Sequence, residues 1–366
     1  MNYYFFCGYN LDGSGYTTIV KHLGLELQAM GHSITVFSSE YRGQEFNEPF
    51  NITNVPFQGM PEAIRYMVDY DKPETSRIIV AYDIPRILDF IAFWERRERP
   101  DIVGQIEVII PVESYPINVK WLNYLQQIKK IYTISEFGHN ILRQSGITSE
   151  FLPIGCNFAS HNRPDKQTAR TLLKMPEDKT IYLMVADNQE RKNIPVAMEA
   201  MIDLPDDCFL YLVTVPNRVN GWDLSDMANE YQIENKVHFV PFPVDQGILS
   251  LLYWASDALL VTSQAEGACL PIYEAIGHGL PVISGSWTGM QDVKDLPFVL
   301  PIDFEYSYRF AWGNVLRFFA SGHELIEKMM YVHDNKEALE EMSKKALDYS
   351  RERTWKKTAE VLHGAE

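Results

Sequence analysis

EGACLPIYEAIGHGLPVISG, residues 266–285, decides how the rest of the chain is read. Pro271 suits the first turn of a helix, where its fixed φ is favourable and its missing N–H is not needed. Gly277 and Gly279 can end that helix, and residues 281–284 then read as a strand. On this reading Glu266 lies in the loop before the helix and Glu274 about one turn inside it. Gly267 follows Glu266 as a further donor-binding candidate, and the N–H groups of Ala268, Cys269 and Leu270 gather at the positive helix end as an anion site. Two carboxylates bracketing an anion site suit a ligand that carries hydroxyl groups on both sides of its phosphates.

The same grammar runs through the chain, with strand-like and helix-like runs alternating as in a mostly parallel sheet covered on both faces. Residues 3–8 are followed by a turn containing Gly13, Ser14 and Gly15, then by a helix whose apolar positions Ile19, Val20, Leu23, Leu27 and Met30 recur at helical spacing. Strands are expected at 33–38, 77–82, 106–112, 130–135 and 150–155. The polar segment 157–166, which contains a proline, reads as a linker. Alternation restarts with strands at 180–186, 208–215, 236–242 and 257–263 and a helix at about 194–202. Residues 296–312 read as an aromatic-rich loop region, and two or three helices follow, the last at about 353–362. A chain of 366 residues exceeds what one core supports. The expected fold class is therefore α/β, two Rossmann-like doubly wound domains facing a cleft, with ligands at the carboxyl ends of strands.

Composition narrows the function. The sequence is 46% hydrophobic and 22% charged, with a formal net charge of −16. That balance argues against a generally basic surface for nucleic acid or anionic membranes. No run approaches the ~18 apolar residues of a spanning helix, and the first residues lack a basic leader. Cys7, Cys156, Cys208 and Cys269 form no C-x-x-C, and no histidine pair has ligand spacing, so a reduced, cytoplasmic setting is expected and no metal site is.

Residues 266–283 resemble the E-G-x-x-L-P-x-x-E-A-x-x-x-G-x-P-V-I signature of retaining GT-B glycosyltransferases, in particular glycosyltransferase family 4. SEFGHNILRQSGI (135–147), LPIGCN (152–157), GLELQAMGHSITVFS (24–38) and YWASDALLVTSQAEG (253–267) resemble further family elements in the family's order. The resemblance implies a GT-B fold whose C-terminal helix returns to the first domain. The expected divisions are 1–160 with about 350–366 on the acceptor side, and 161–349 holding the nucleotide sugar. It implies that Glu266 bonds hydroxyls of the donor sugar and Glu274 the ribose diol.

NQERKN (188–193) follows a strand directly, which puts Arg191 and Lys192 at a carboxyl strand end. Lys192 fits the family's lysine slot. Asp187 stands in the arginine slot, so Arg191 is expected to replace that charge on the diphosphate. Gly13, Ser14 and Gly15 are expected to bring amides to phosphates or acceptor. Glu113 occupies roughly the place of a family histidine near the donor sugar and is expected to bind a sugar or acceptor hydroxyl instead. Ser135 and Ser263 read equally as caps or ligands. Trp222, Trp312 and the aromatic cluster at 304–308 read as packing in preference to stacking on a ligand.

The reaction implied is transfer from a UDP- or GDP-sugar to an acceptor hydroxyl with retention and without a metal, by front-face attack. The acceptor is expected to be read by loops such as 47–60 and 115–120. A GT-B epimerase, a catalytically silent sugar-nucleotide or glycan-binding protein, and a transferase acting on a nucleic-acid base compete, the last disfavoured by net charge.

Overall fold

A computed structural model describes residues 1–10, 14–71, 74–156, 163–311 and 313–364. The turn residue Gly13, part of the linker and Trp312 lie outside the described residues. The chain divides into two compact units. One comprises residues 1–154, 311–315 and 355–366, and the other residues 155–310 and 316–354.

The first unit is built on seven parallel strands, β1 (Asn2–Cys7), β2 (Ser33–Ser38), β3 (Asn51–Asn54), β4 (Ser76–Ala81), β5 (Glu107–Ile110), β6 (Lys130–Thr133) and β7 (Glu150–Phe151). Their spatial order is β3-β2-β1-β4-β5-β6-β7. β4 is buried at every position, as a central strand covered on both faces should be. Five helices connect these strands, α1 (Gly15–Ala29), α2 (Met60–Tyr70), α3 (Ile84–Glu95), α4 (Val119–Leu125) and α5 (Glu136–Gln144). α1 buries Ile19, Val20, Leu23 and Leu27, and Gly31 follows it at φ 86°.

The second unit repeats the plan with β8 (Thr180–Val185), β9 (Cys208–Thr214), β10 (Val237–Pro241), β11 (Ala258–Val261), β12 (Val282–Gly285) and β13 (Val299–Ile302), all parallel, in the order β10-β9-β8-β11-β12-β13. Its helices are α6 (Lys166–Leu173), α7 (Ile194–Asp203), α8 (Leu224–Glu230), α9 (Gln246–Ala255), α10 (Leu270–His278), α11 (Gly322–Asp334) and α12 (Lys336–Glu352). Strand order reverses between β1 and β4 in one sheet and between β8 and β11 in the other, the crevice where such sheets take ligands.

The expected loop region at 296–312 is a correction. It contains β13 and the first strand of an antiparallel hairpin, β14 (Phe304–Arg309) with β15 (Leu316–Ala320). β14 is largely exposed, so no buried face imprints an alternation on its sequence. Cross-strand aromatic pairs hold it instead, with Tyr306 stacked on Phe319 at 4.6 Å and Phe304 edge-on to Phe318 at 4.9 Å.

The last helix, α13 (Trp355–His363), belongs to the first unit. Trp355, fully buried, stacks on His22 of α1 at 4.9 Å, and Tyr3 Oη lies 2.6 Å from His363 Nδ1. Arg77 on β4 reaches the Leu362 carbonyl, donates from Nε to Glu107 at 3.0 Å and from Nη2 to Tyr132 Oη at 2.8 Å. No helix of the described residues is long and apolar enough to cross a membrane.

Candidate active site

Two loops leave the carboxyl ends of the neighbouring strands β8 and β11. The first passes through a 3-10 turn at Glu190–Lys192 before Asn193, left-handed at φ 48°, starts α7. The second runs from Thr262 to Cys269, which takes φ 61° and starts α10. Thr262 Oγ1 donates to the carbonyls of Lys192 and Asn193, and Gln264 N donates to the Arg191 carbonyl at 2.7 Å. The two loops are therefore one hydrogen-bonded unit at the switch point.

Glu266 is its centre, with 5% exposure. Lys192 Nζ lies 2.6 Å from Oε1 and Arg191 Nη1 3.0 Å from Oε2, while Arg191 Nη1 also donates to the Ala265 carbonyl at 2.7 Å. Burial acts to raise the Glu266 carboxyl, but the Arg191 and Lys192 charges, with hydrogen bonds from Lys192 and Ser263, outweigh it and hold the pKa at about 2. Glu266 is thus ionised at any working pH. Its backbone is fixed as firmly: its N–H donates to Thr288 Oγ1 at 3.0 Å, and its carbonyl accepts from Gly289 N at 2.9 Å. Gly289 has no room for a side chain, since a Cβ there would stand 2.2 Å from the Gly267 carbonyl oxygen. Among the described residues, the N–H groups of Ala268, Cys269 and Leu270 take no hydrogen-bond partner at the α10 start.

Glu274 sits on the second turn of α10, half-buried. Tyr253 of α9 donates to its Oε2 at 2.6 Å. Burial raises the Glu274 pKa, and this hydrogen bond partly opposes the rise. His278, one turn on, donates from Nδ1 to the Glu274 carbonyl at 2.6 Å and stacks on Tyr253 at 4.9 Å. Gly279, at φ 70°, closes the helix.

Ser14 and Gly15 open α1 in the first unit. The Ser14 hydroxyl accepts from Thr17 N at 3.2 Å and donates to the Gly8 carbonyl at 3.0 Å, so it works as an N-cap. Ser135 likewise caps α5, accepting from Gly138 N at 3.1 Å. Glu113 lies beyond the end of β5, which stops at Ile110. It stands near Asp83, whose carboxyl burial raises; the Arg86 charge opposes that rise and the Glu113 charge adds to it.

Four contributors were not legible beforehand. Thr288 and Gly289 clamp Glu266, and Tyr253 orients Glu274. Asn188, fully buried, donates from Nδ2 to the carbonyls of Val215, Pro216 and Trp222 and accepts from Trp222 N at 2.9 Å, tying the loops after β8 and β9 together. The Thr-Gly turn after a strand was the available signal for the first pair; nothing local marks the others.

Residues 165–294 match the family model described as "Glycosyl transferases group 1", a span that holds every member of the Glu266 and Glu274 clusters. Over that span the chain is similar to the group 1 glycosyltransferases. Such an enzyme moves a sugar from a nucleotide-sugar donor with retention of anomeric configuration. No curated protein matches the sequence. Among solved structures, the chain resembles the sucrose-phosphate synthase of Thermosynechococcus elongatus at 18% identity and TM-score 0.76, covering 100% of this chain and 98% of that one. It also resembles a glycosyltransferase of Rickettsia africae at 13% identity and TM-score 0.73, covering 99% and 97%. A structure of Anabaena HepE in complex with UDP-glucose matches at 12% identity and TM-score 0.71, covering 99% of both chains. These likenesses show the fold, GT-B, with α13 packed on α1 of the first unit.

Proposed function

We propose that the second unit holds the nucleotide sugar at the β8–β11 switch point and that the first unit receives the acceptor. Arg191 and Lys192 meet the diphosphate, assisted by the N–H groups of Ala268, Cys269 and Leu270 and by the freedom of Gly267. Glu266 sets the two cations in place and accepts from sugar hydroxyls. Glu274 takes the ribose diol with Oε1, while Tyr253 holds Oε2. In the first unit, Glu113 and residues 13–15 are assigned to a sugar or acceptor hydroxyl and to phosphate or acceptor contacts.

One observation carries this reading: a buried carboxylate clamped between two cations, where strand order reverses. One negative charge against two positive ones leaves a net positive site, suited to a diphosphate leaving group. As the glycosyl bond breaks, charge grows on the departing phosphate oxygen, and fixed cations lower the barrier by meeting it without reorganising. In front-face attack that oxygen also takes the acceptor's proton, so no protein base is needed at that step.

HepE is solved with UDP-glucose, which makes UDP-sugars the first donors to try and GDP-sugars the second. The test offers UDP-, GDP-, ADP- and CMP-sugars and measures nucleotide release by the wild type and Glu266→Ala. Release from one donor class, lost in the variant, supports the proposal. Release that is equal in both removes it, and an epimer in place of a transferred product converts it to the epimerase reading.

A further inference from the structure

We propose that Asp207, Cys208 and His333 form a tetrahedral site for a thiophilic divalent metal of the zinc class, stapling the start of β9 to the last turn of α11. The site lies at the amino end of β9, whereas the Glu266 cluster lies at the carboxyl ends of β8 and β11.

A carboxylate oxygen of Asp207, the Cys208 sulfur and a ring nitrogen of His333 all lie within 4.8 Å of one another. A tetrahedral zinc with N and O ligands at about 2.0 Å and sulfur at about 2.3 Å sets ligand atoms about 3.3–3.6 Å apart. His333 Nε2 and Asp207 Oδ1 already stand at 3.2 Å. Small side-chain movements complete the triangle.

The hydrogen bonding of His333 supplies the second argument. Its Nδ1 lies 2.7 Å from Asp334 Oδ1 while its Nε2 faces Asp207. A neutral imidazole has one N–H, so one of these contacts sets a lone pair against a carboxylate oxygen. A divalent ion at Nε2 satisfies both contacts, as a second ring proton also would, and with the ion bound Asp334 is the orienting carboxylate found behind metal-bound histidines. The ligand types select the ion: thiolate and imidazole favour zinc-like metals over magnesium or calcium.

The neighbouring cations are engaged elsewhere. Lys236 Nζ binds the Leu204 carbonyl at 2.8 Å and Asp206 at 3.3 Å, and Lys336 Nζ donates to Thr180 Oγ1 at 2.7 Å. Asp207 and His333, though not the fully buried Cys208, line a cavity of about 790 Å³, which opens two of the three ligands to an incoming ion. No sequence spacing could reveal the set, because His333 comes from a helix remote in the chain.

The test titrates chelator-dialysed protein with Co2+ under anaerobic conditions. The expected result is one equivalent bound, with a thiolate-to-cobalt charge-transfer band and intense tetrahedral d–d bands, both displaced by Zn2+. Cys208→Ser removes the charge-transfer band, and His333→Gln weakens binding by at least ~10-fold at a half-exposed position where folding is verified by circular dichroism. Lack of a thiolate band at stoichiometric Co2+, or the same band and affinity in both variants, overturns the proposal.

Discussion

Lys192 Nζ and Glu266 Oε1 stand 2.6 Å apart, buried at the end of the strand pair where ligands enter a doubly wound sheet. Arg191 holds the other carboxylate oxygen at 3.0 Å. The first consequence of this pairing is a dependence of stability on acid. Glu266 has a folded pKa of about 2 against an ordinary 4.5, so its ion pairs stabilise fully above that ordinary value. This contribution is lost as pH falls from about 4.5 to about 2. Acid unfolding of the wild type should steepen in that window, and Glu266→Gln, although less stable throughout, should show a flatter curve there. Parallel curves would contradict the assignment.

Tyr253→Phe should act on binding more than on chemistry. It removes the donor to Glu274 Oε2, and a hydrogen bond to a charged group is worth roughly 1.5–3 kcal/mol. A ribose contact made equally in ground and transition states appears in KM. The donor KM should rise at least ~10-fold, with kcat nearly unchanged. A fall confined to kcat would place Tyr253 in the chemistry instead.

The two glutamates should also separate by pH. Glu274 has a raised pKa because of burial, whereas Glu266 is held near 2. As pH is lowered, donor affinity should weaken through protonation of Glu274 while Glu266 remains charged. Glu274→Gln should abolish that pH dependence in kcat/KM, and persistence of the profile in the variant would refute the assignment.

Gly289→Ala tests the clamp on the Glu266 backbone. The obstacle is the Gly267 carbonyl at 2.2 Å, which is backbone and cannot swing aside. The substitution should cost about 2–4 kcal/mol and lower donor turnover in the folded fraction. Gly59→Ala, where the nearest atom is a Val55 methyl at 3.7 Å, should be close to neutral by thermal melting.

Much of this architecture was legible because both sheets are central and parallel. Strands such as Ser33–Ser38 and Thr180–Val185 are short apolar runs bounded by turns, and helix ends are marked by Gly31 and Gly279. β3, with the sequence NITN at a sheet edge, and the exposed β14 carry no such pattern, because no buried face selects their residues. The glutamates and cations were legible because they stand in a run resembling a family signature, at strand ends followed by helix starts. Their mutual pairing was not: residues 191, 192 and 266 meet only once β8 and β11 are neighbours. Tyr253 and Asn188 stayed hidden for the same reason, since a hydrogen bond across the fold leaves no local trace.

Arg77 and Glu107 tie the carboxyl end of α13 to the first sheet through a buried ion pair. Glu107→Ala leaves the guanidinium buried without its carboxylate and should cost about 3–5 kcal/mol. Hydrogen exchange should then rise first in α13. Unchanged protection of α13 would show that Trp355 packing alone holds the helix.

The most direct measurement is calorimetric titration of UDP and GDP, with uridine and guanosine as controls, into the wild type and Lys192→Met. The better-bound nucleotide should lose at least ~10-fold in affinity in the variant, because one charge-assisted contact to phosphate disappears, while its nucleoside binds both proteins equally. Equal diphosphate affinity in the two proteins would contradict the claim that the Glu266, Arg191 and Lys192 cluster is the seat of the donor's diphosphate.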